Sequence, residues 1–364
     1  MHRIKILDSF RGLAAALVVF HHIYTRFYNL YDTHHFRALH HIFNFISDLN
    51  REAVLFFFIL SGFSIRLSLQ NKMPVTKTRL NEYLFRRFNR IIPLYTISIA
   101  ITALAGIVIQ QLSTKDFSLV NLFGNLLFLQ ISKSYKGYWF SPYGNNGPLW
   151  SISFEMFYYL FFPFFIFLMM KLFKNNFTSS KAGLFILFIA FTLSLACIVI
   201  NKMFFFPYIA FATLFYVWYS GFFLGYLYTK KQLRLNRNLG LIFVIMLITA
   251  ALQFVVLSAS VQMLFLGSVI STVFYLLCVI RKSVHWRIIS KMEDFFNFLF
   301  YRIGKGSYAF YLFHYPLILI LMQYKVSSVW LIILLMVILA VICIIVEEYF
   351  VKKRFEFLRI SYLR

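Results

Sequence analysis

Arg11 and His22 are the first residues in this chain whose types and spacing suggest chemistry. Both lie in LDSFRGLAAALVVFHHIY, residues 7–24. In an α-helix the eleven-residue separation is roughly three turns, so guanidinium and imidazole share one face about 16 Å apart, and His21 points about 100° away from His22. An imidazole changes charge near neutral pH and can serve as a general base. A permanent cation and a proton acceptor on one stripe of an apolar helix suit a reaction path across a bilayer better than an anchor. The other reading of His22 is a buried histidine bonded to a neighbour.

Three further groups stand out. Glu155, in GPLWSISFEMFYY, is the one acidic residue of twelve placed well inside an apolar run, about one turn past Ser151 and following Trp150. Intramembrane carboxylates are costly and functional by default; a structural pairing with an arginine of a neighbouring helix is the competing reading. RRFNRIIP holds Arg86, Arg87 and Arg90. Arg87 and Arg90, three apart, share a helix face, and their planar forks suit phosphate, although a purely topogenic cluster has the same composition. SYAFYLFHYPL carries Ser307, Tyr308 and His314, with Pro316 two residues on. The GxSxG, HExxH, P-loop and GxGxxG signatures are absent. A covalent serine mechanism therefore has no support, whereas a histidine acting directly as base does.

The elements that must position these groups are membrane helices. Of 364 residues, 61% are hydrophobic and 13% charged, against about 45–50% and about 25% in soluble domains. Several apolar runs reach the roughly 20 residues that span hydrocarbon, and the alternation of a membrane barrel is missing. The fold class is all-α and polytopic. A net charge of +24 would suggest nucleic acid in a soluble protein, but here the basic residues fall in alternate loops, as the positive-inside rule expects. Spans are expected at about 9–28, 53–69, 91–110, 148–170, 182–201, 208–228, 239–257, 261–280, 306–324 and 329–351.

The apolar run 118–131 is too short to cross and suits a re-entrant or interfacial segment. With it left uncrossed, one side collects 26 of the 36 Lys and Arg. That predicts ten spans with both termini cytoplasmic, forming one integral membrane domain with no appended soluble domain and no internal repeat. The first span reads as retained, because Asp8 and Arg11 interrupt it and no small-residue cleavage site follows.

Finer expectations follow. Asp8 caps the first helix, and Pro93 sits in the first turn of the third span. His34, His35, His40 and His41 form a solvated loop, without the carboxylate or cysteine partners of a metal site. Cys197, Cys278 and Cys343 lie in apolar runs as core residues. Gly221 and Gly225 allow close helix packing. Residues 285–302 form a cytoplasmic interfacial helix, and Glu347 and Glu348 reach the interface at the end of the last span.

Taken together, these segments resemble the acyltransferase-3 family of integral membrane proteins. LDSFRGLAAALVVFHH is similar to its Arg-x10-His first-span motif, on Arg11 and His22. FFFILSGFSI resembles its second-span segment, without the acidic residue often found there, so Ser61 is assigned packing alone. RRFNRIIP matches its Arg-x-x-Arg element, on Arg87 and Arg90. GPLWSISFEMFYY resembles its W-S-[LI]-x-x-E element, on Trp150, Ser151 and Glu155, and SYAFYLFHYPL its late element, on Ser307, Tyr308 and His314.

The resemblance implies transfer of an acyl group, usually acetyl from acetyl-CoA, to a hydroxyl of a cell-surface polysaccharide or its lipid-linked precursor at the bacterial cytoplasmic membrane. It implies no metal and no nucleic acid. His22 is expected to be the base, Arg11 to position the donor or stabilise charge, and Glu155 to orient His22 or bind sugar. Arg86, Arg87 and Arg90 are expected at the donor's phosphates; Trp150, Ser151, Tyr308 and His314 are expected at the substrate. The rival class is a proton-coupled transporter of an anionic metabolite or lipid-linked sugar, in which the same Arg, His and Glu form a relay. The paired inverted repeats common in transporters are not seen.

Overall fold

The computed structural model describes residues 4–27, 37–69, 73–132, 138–172, 180–204, 207–232, 259–283 and 287–362, with the helical positions Gly240, Val244 and Ile248. Among them there is no strand. The principal helices are α1 (Lys5–Phe27), α2 (Arg37–Asp48), α3 (Asn50–Leu69), α4 (Lys77–Val108), α5 (Leu119–Leu126), α6 (Trp150–Leu172), α7 (Ser180–Phe204), α8 (Ala210–Thr213), α9 (Phe215–Thr229), α10 (Ala259–Ser283), α11 (Arg287–Lys305), α12 (Ser307–Gln323) and α13 (Val329–Tyr362). Seven helical segments among the described residues are long and apolar enough to cross a membrane, and Leu266–Val279 and Ser307–Gln323 are shorter apolar helices. The chain is a polytopic helical membrane protein. The expected span 239–257 lies largely outside the described residues.

Three local expectations are corrected. Asp8 is not a cap: it lies inside α1, buried, and pairs with Arg11 at 2.7 Å, one turn on. Pro93 does not open a helix, because α4 begins at Lys77, where the Thr76 side chain accepts from Arg79 N, and runs through the proline. The basic stretch before Pro93 is therefore helical and continuous with the span. His40 and His41 belong to the amphipathic helix α2 rather than to a loop. There His40 meets Asn44 at 2.9 Å and the Tyr24 hydroxyl at 3.4 Å. His34 and His35 lie outside the described residues.

α5 has only eight residues, about 12 Å of helix, far short of the roughly 30 Å hydrocarbon core. Its Leu119, Val120 and Phe123 are exposed, while Asn121 and Asn125 turn inwards.

Close backbone approach fixes two helix pairs. A Cβ on Gly62 would collide with the Trp218 carbonyl, and one on Gly221 with that of Ile59, so α3 and α9 pack backbone to backbone. Gly12 faces the Phe300 carbonyl and Gly304 that of Asp8, which brings α11 equally close to α1. Ser9 Oγ donates to Asn297 Oδ1 across the same contact at 2.6 Å. The apolar side chains Met292, Phe295 and Phe298 of α11 stay exposed.

Glu347 turns inwards instead of reaching the interface. It accepts from the amides of Tyr308 and Ala309, each at 3.1 Å, and so satisfies the first turn of α12. Glu348 pairs with Lys305 at 2.8 Å.

Candidate active site

Helices α1, α3, α4, α6 and α12 surround a partly open cavity. Arg11, Arg90, Glu155, Ser61, Ser151, Tyr308 and Tyr311 line it, with Phe57 and Phe58 on the apolar side. Residues from five distant stretches of chain thus meet in one place. Arg11 is held by Asp8 and donates to Ser64 Oγ, which itself donates to the Leu60 carbonyl at 2.6 Å. Glu155 accepts from Ser61 Oγ at 2.8 Å and from the Tyr159 hydroxyl. Ser61 also lies 2.9 Å from Tyr159 and receives the Trp218 indole N–H at 3.3 Å. Arg90 shares this lining with Glu155.

The three arginines of α4 part company. Arg90 faces the cavity. Arg87 is buried, donates to Ser68 Oγ at 3.0 Å, and lies over the rings of Tyr83 and Tyr159 at 5.7 and 5.9 Å. Arg86 pairs with Glu82 one turn back at 3.4 Å. Of the residues expected at the substrate, Ser151 and Tyr308 reach the cavity. Trp150 is not among its lining residues and packs edge-on against Phe154 at 5.1 Å.

His22 lies elsewhere, in a second cluster farther along α1. Its ring stacks on that of His314, with centroids 5.4 Å apart and planes at 28°, and meets Tyr315 edge-on at 5.0 Å. The Tyr315 hydroxyl accepts from Arg26 at 2.8 Å. His21 points away, as helix geometry requires: its Nδ1 lies 3.0 Å from Ser47 and from Asn50 on α2 and α3. His314 is fully buried. Its Nδ1 lies 3.1 Å from the Phe310 carbonyl, and its Nε2 has no hydrogen-bond partner among the described residues.

Tyr311 joins the two clusters. It lines the cavity, with its hydroxyl 2.8 Å from Ser151 Oγ and 3.1 Å from the Pro148 carbonyl. Its ring lies 6.1 Å from that of His314. Ser307, Tyr308, Tyr311 and His314 thus form one stripe of α12, at helical spacings of three and four. Glu155 sits at the cavity end of this stripe with Ser61 and Tyr159 as partners; no contact with His22 supports an orienting role.

Sequence reading misses Ser61, Tyr159 and Tyr311. No acidic residue accompanies Ser61, which makes packing the natural assignment, yet it is the hydroxyl on which Glu155, Tyr159 and Trp218 converge. The spacing of Tyr311 from Ser307 and His314 is a usable signal. The partnership of Ser61 with Glu155 has no counterpart in local spacing.

Among the described residues no three His, Cys, Asp or Glu side chains converge as a metal cage.

The profile of the acyltransferase domain family, acyltransferase-3, matches residues 4–347, nearly the whole chain. No curated protein and no solved structure matches. The chain belongs to this acyltransferase family.

Proposed function

With family membership as the premise, we propose that the protein transfers an acyl group, in the simplest case acetyl, from cytoplasmic acyl-CoA to a hydroxyl of a cell-surface polysaccharide or its lipid-linked precursor. The observation that carries this reading is the convergence of Arg11, Arg90 and Glu155 on one cavity, joined through Tyr311 to His22 and His314. An anionic donor needs fixed cations and an acceptor hydroxyl needs a proton acceptor. The two clusters supply one each.

In this reading both termini face the cytosol, and the donor enters from the side of the α4 arginines. Arg90 meets it inside the cavity. Arg86 lies on the part of α4 before the span, and Arg87 backs the wall through Tyr159. Arg11, pinned by Asp8, holds the donor or offsets charge that develops on the thioester. Glu155 keeps Arg90 in place and lines the substrate's path with Ser151 and Tyr308, while Trp150 supports that wall from behind.

A histidine of the outer cluster supplies the general base, with His22 at the position the Arg-x10-His spacing gives it. The acceptor oxygen bonds to the thioester carbonyl carbon, the carbon–sulfur bond breaks, and the hydroxyl proton passes by way of imidazole to the coenzyme A sulfur.

The test uses sealed inverted vesicles supplied with radiolabelled acetyl-CoA. Label joined covalently to lumenal glycan is the expected result. Accumulation of solute without modification would favour the transporter reading instead.

A further inference from the structure

We infer that His314 is a second catalytic histidine of this transfer, and that its Nε2 is where the acceptor's proton first lands. The inference rests on the transfer reading and assigns the proton within it.

The argument begins with hydrogen-bond chemistry. A carbonyl oxygen only accepts, so the 3.1 Å contact between His314 Nδ1 and the Phe310 carbonyl places the proton of the neutral ring on Nδ1. Nε2 is then the bare nitrogen, an acceptor with a free lone pair. It belongs to a ring with no solvent exposure and has no partner among the described residues. Leaving such an atom unpaired is costly, and a donor O–H arriving with the substrate removes that cost. Backbone contact one turn earlier on α12 has therefore fixed the tautomer a base requires before any substrate binds.

Location supports the same assignment. His314 lies between the stacked ring of His22 and Tyr311, which lines the donor cavity. The charged group facing this cluster is Arg26, beyond Tyr315, and His21 flanks His22. Two imidazoles at this separation repel each other when both are charged, so the pair takes up one proton at a time. His22, remaining neutral, keeps an N–H to donate to the thioester carbonyl oxygen. The step balances: the acceptor oxygen bonds to carbon, its proton moves to His314 Nε2, the carbon–sulfur bond breaks, and the proton is returned to sulfur.

The experiment compares wild type with His314→Asn and His314→Ala in the labelled acetyl-CoA vesicle assay. Asparagine keeps a side-chain N–H able to reach the Phe310 carbonyl but carries no basic nitrogen. The expected result is a fall in kcat of about 10²–10⁴-fold in both variants, with KM for acetyl-CoA within about threefold of wild type and added imidazole partly restoring the alanine variant. Turnover of His314→Asn within threefold of wild type would overturn the inference, because it would show that the backbone bond is all His314 provides. Loss of acetyl-CoA binding alongside turnover would overturn it too, by making His314 a structural residue. If wild type itself transfers no label to glycan, the transfer reading fails, not the assignment within it.

Discussion

The arginine cavity and the histidine cluster lie on the same two helices, α1 and α12, and are built in opposite ways. In the cavity most polar groups have an internal partner: Arg11 has Asp8 and Ser64, Glu155 has Ser61 and Tyr159, and Ser151 has Tyr311. The histidine cluster is held by ring packing, with His22 against His314 and Tyr315, and it leaves Nε2 of His314 unpaired among the described residues. Preorganised charge suits a ligand whose charges are fixed, as in a phosphorylated donor. An unsatisfied nitrogen between rings suits a group that must give up a proton. The two groups, marked by Arg11 and His22, lie about three helical turns apart along α1.

The sharpest way to break this contrast is His22→Ala. It is expected to lower turnover by about 10²–10⁴-fold while leaving acetyl-CoA affinity and detergent-extracted yield unchanged, as read by initial rates and equilibrium binding. Normal surface O-acetylation in that variant would remove His22 from the mechanism. Next in size, Arg90→Ala should weaken acetyl-CoA binding by about 1.5–3 kcal/mol for each charge-assisted hydrogen bond removed. Isothermal titration that gives wild-type affinity would leave Arg90 a purely topogenic role.

Ser61→Ala removes the hydroxyl shared by Glu155, Tyr159 and Trp218. It should lower stability by about 1 kcal/mol, measured as the thermal midpoint in detergent, with a smaller effect on rate than either change above. Arg26→Ala should be the mildest. Arg26 is exposed and bonds a neutral hydroxyl, so turnover within about threefold is expected. A larger loss would show that the histidine cluster depends on charge after all.

Most of the helical frame is legible in the sequence, because spans, faces and loop charge are properties of consecutive residues. Arg11 and His22 on one stripe, and the stripe from Ser307 to His314, are of this kind. The meeting of Glu155 with Ser61, and of His22 with His314, joins helices that are remote in sequence and depends on which face of each packs against which. No spacing along either helix encodes that. Pro93 misleads for a related reason. Proline is tolerated in a first turn, but in a membrane helix neighbouring packing accommodates it mid-helix, and the Thr76 cap upstream carries the weaker but correct signal. The helix α2 hides in a histidine-rich stretch whose composition reads as loop, while its amphipathic period reads as helix.

The contact of α11 with the start of α1 has a consequence for how the protein meets its bilayer. If α11 is interfacial, it rides at the headgroup boundary, and Gly12 and Gly304 bring it against the α1 backbone one residue from Arg11. The depth of Arg11 is then tied to the leaflet in which α11 lies. When membrane thickness changes, the mismatch must be absorbed towards the far leaflet. The arginine cavity keeps its level, and the histidine cluster rises or sinks relative to the far surface.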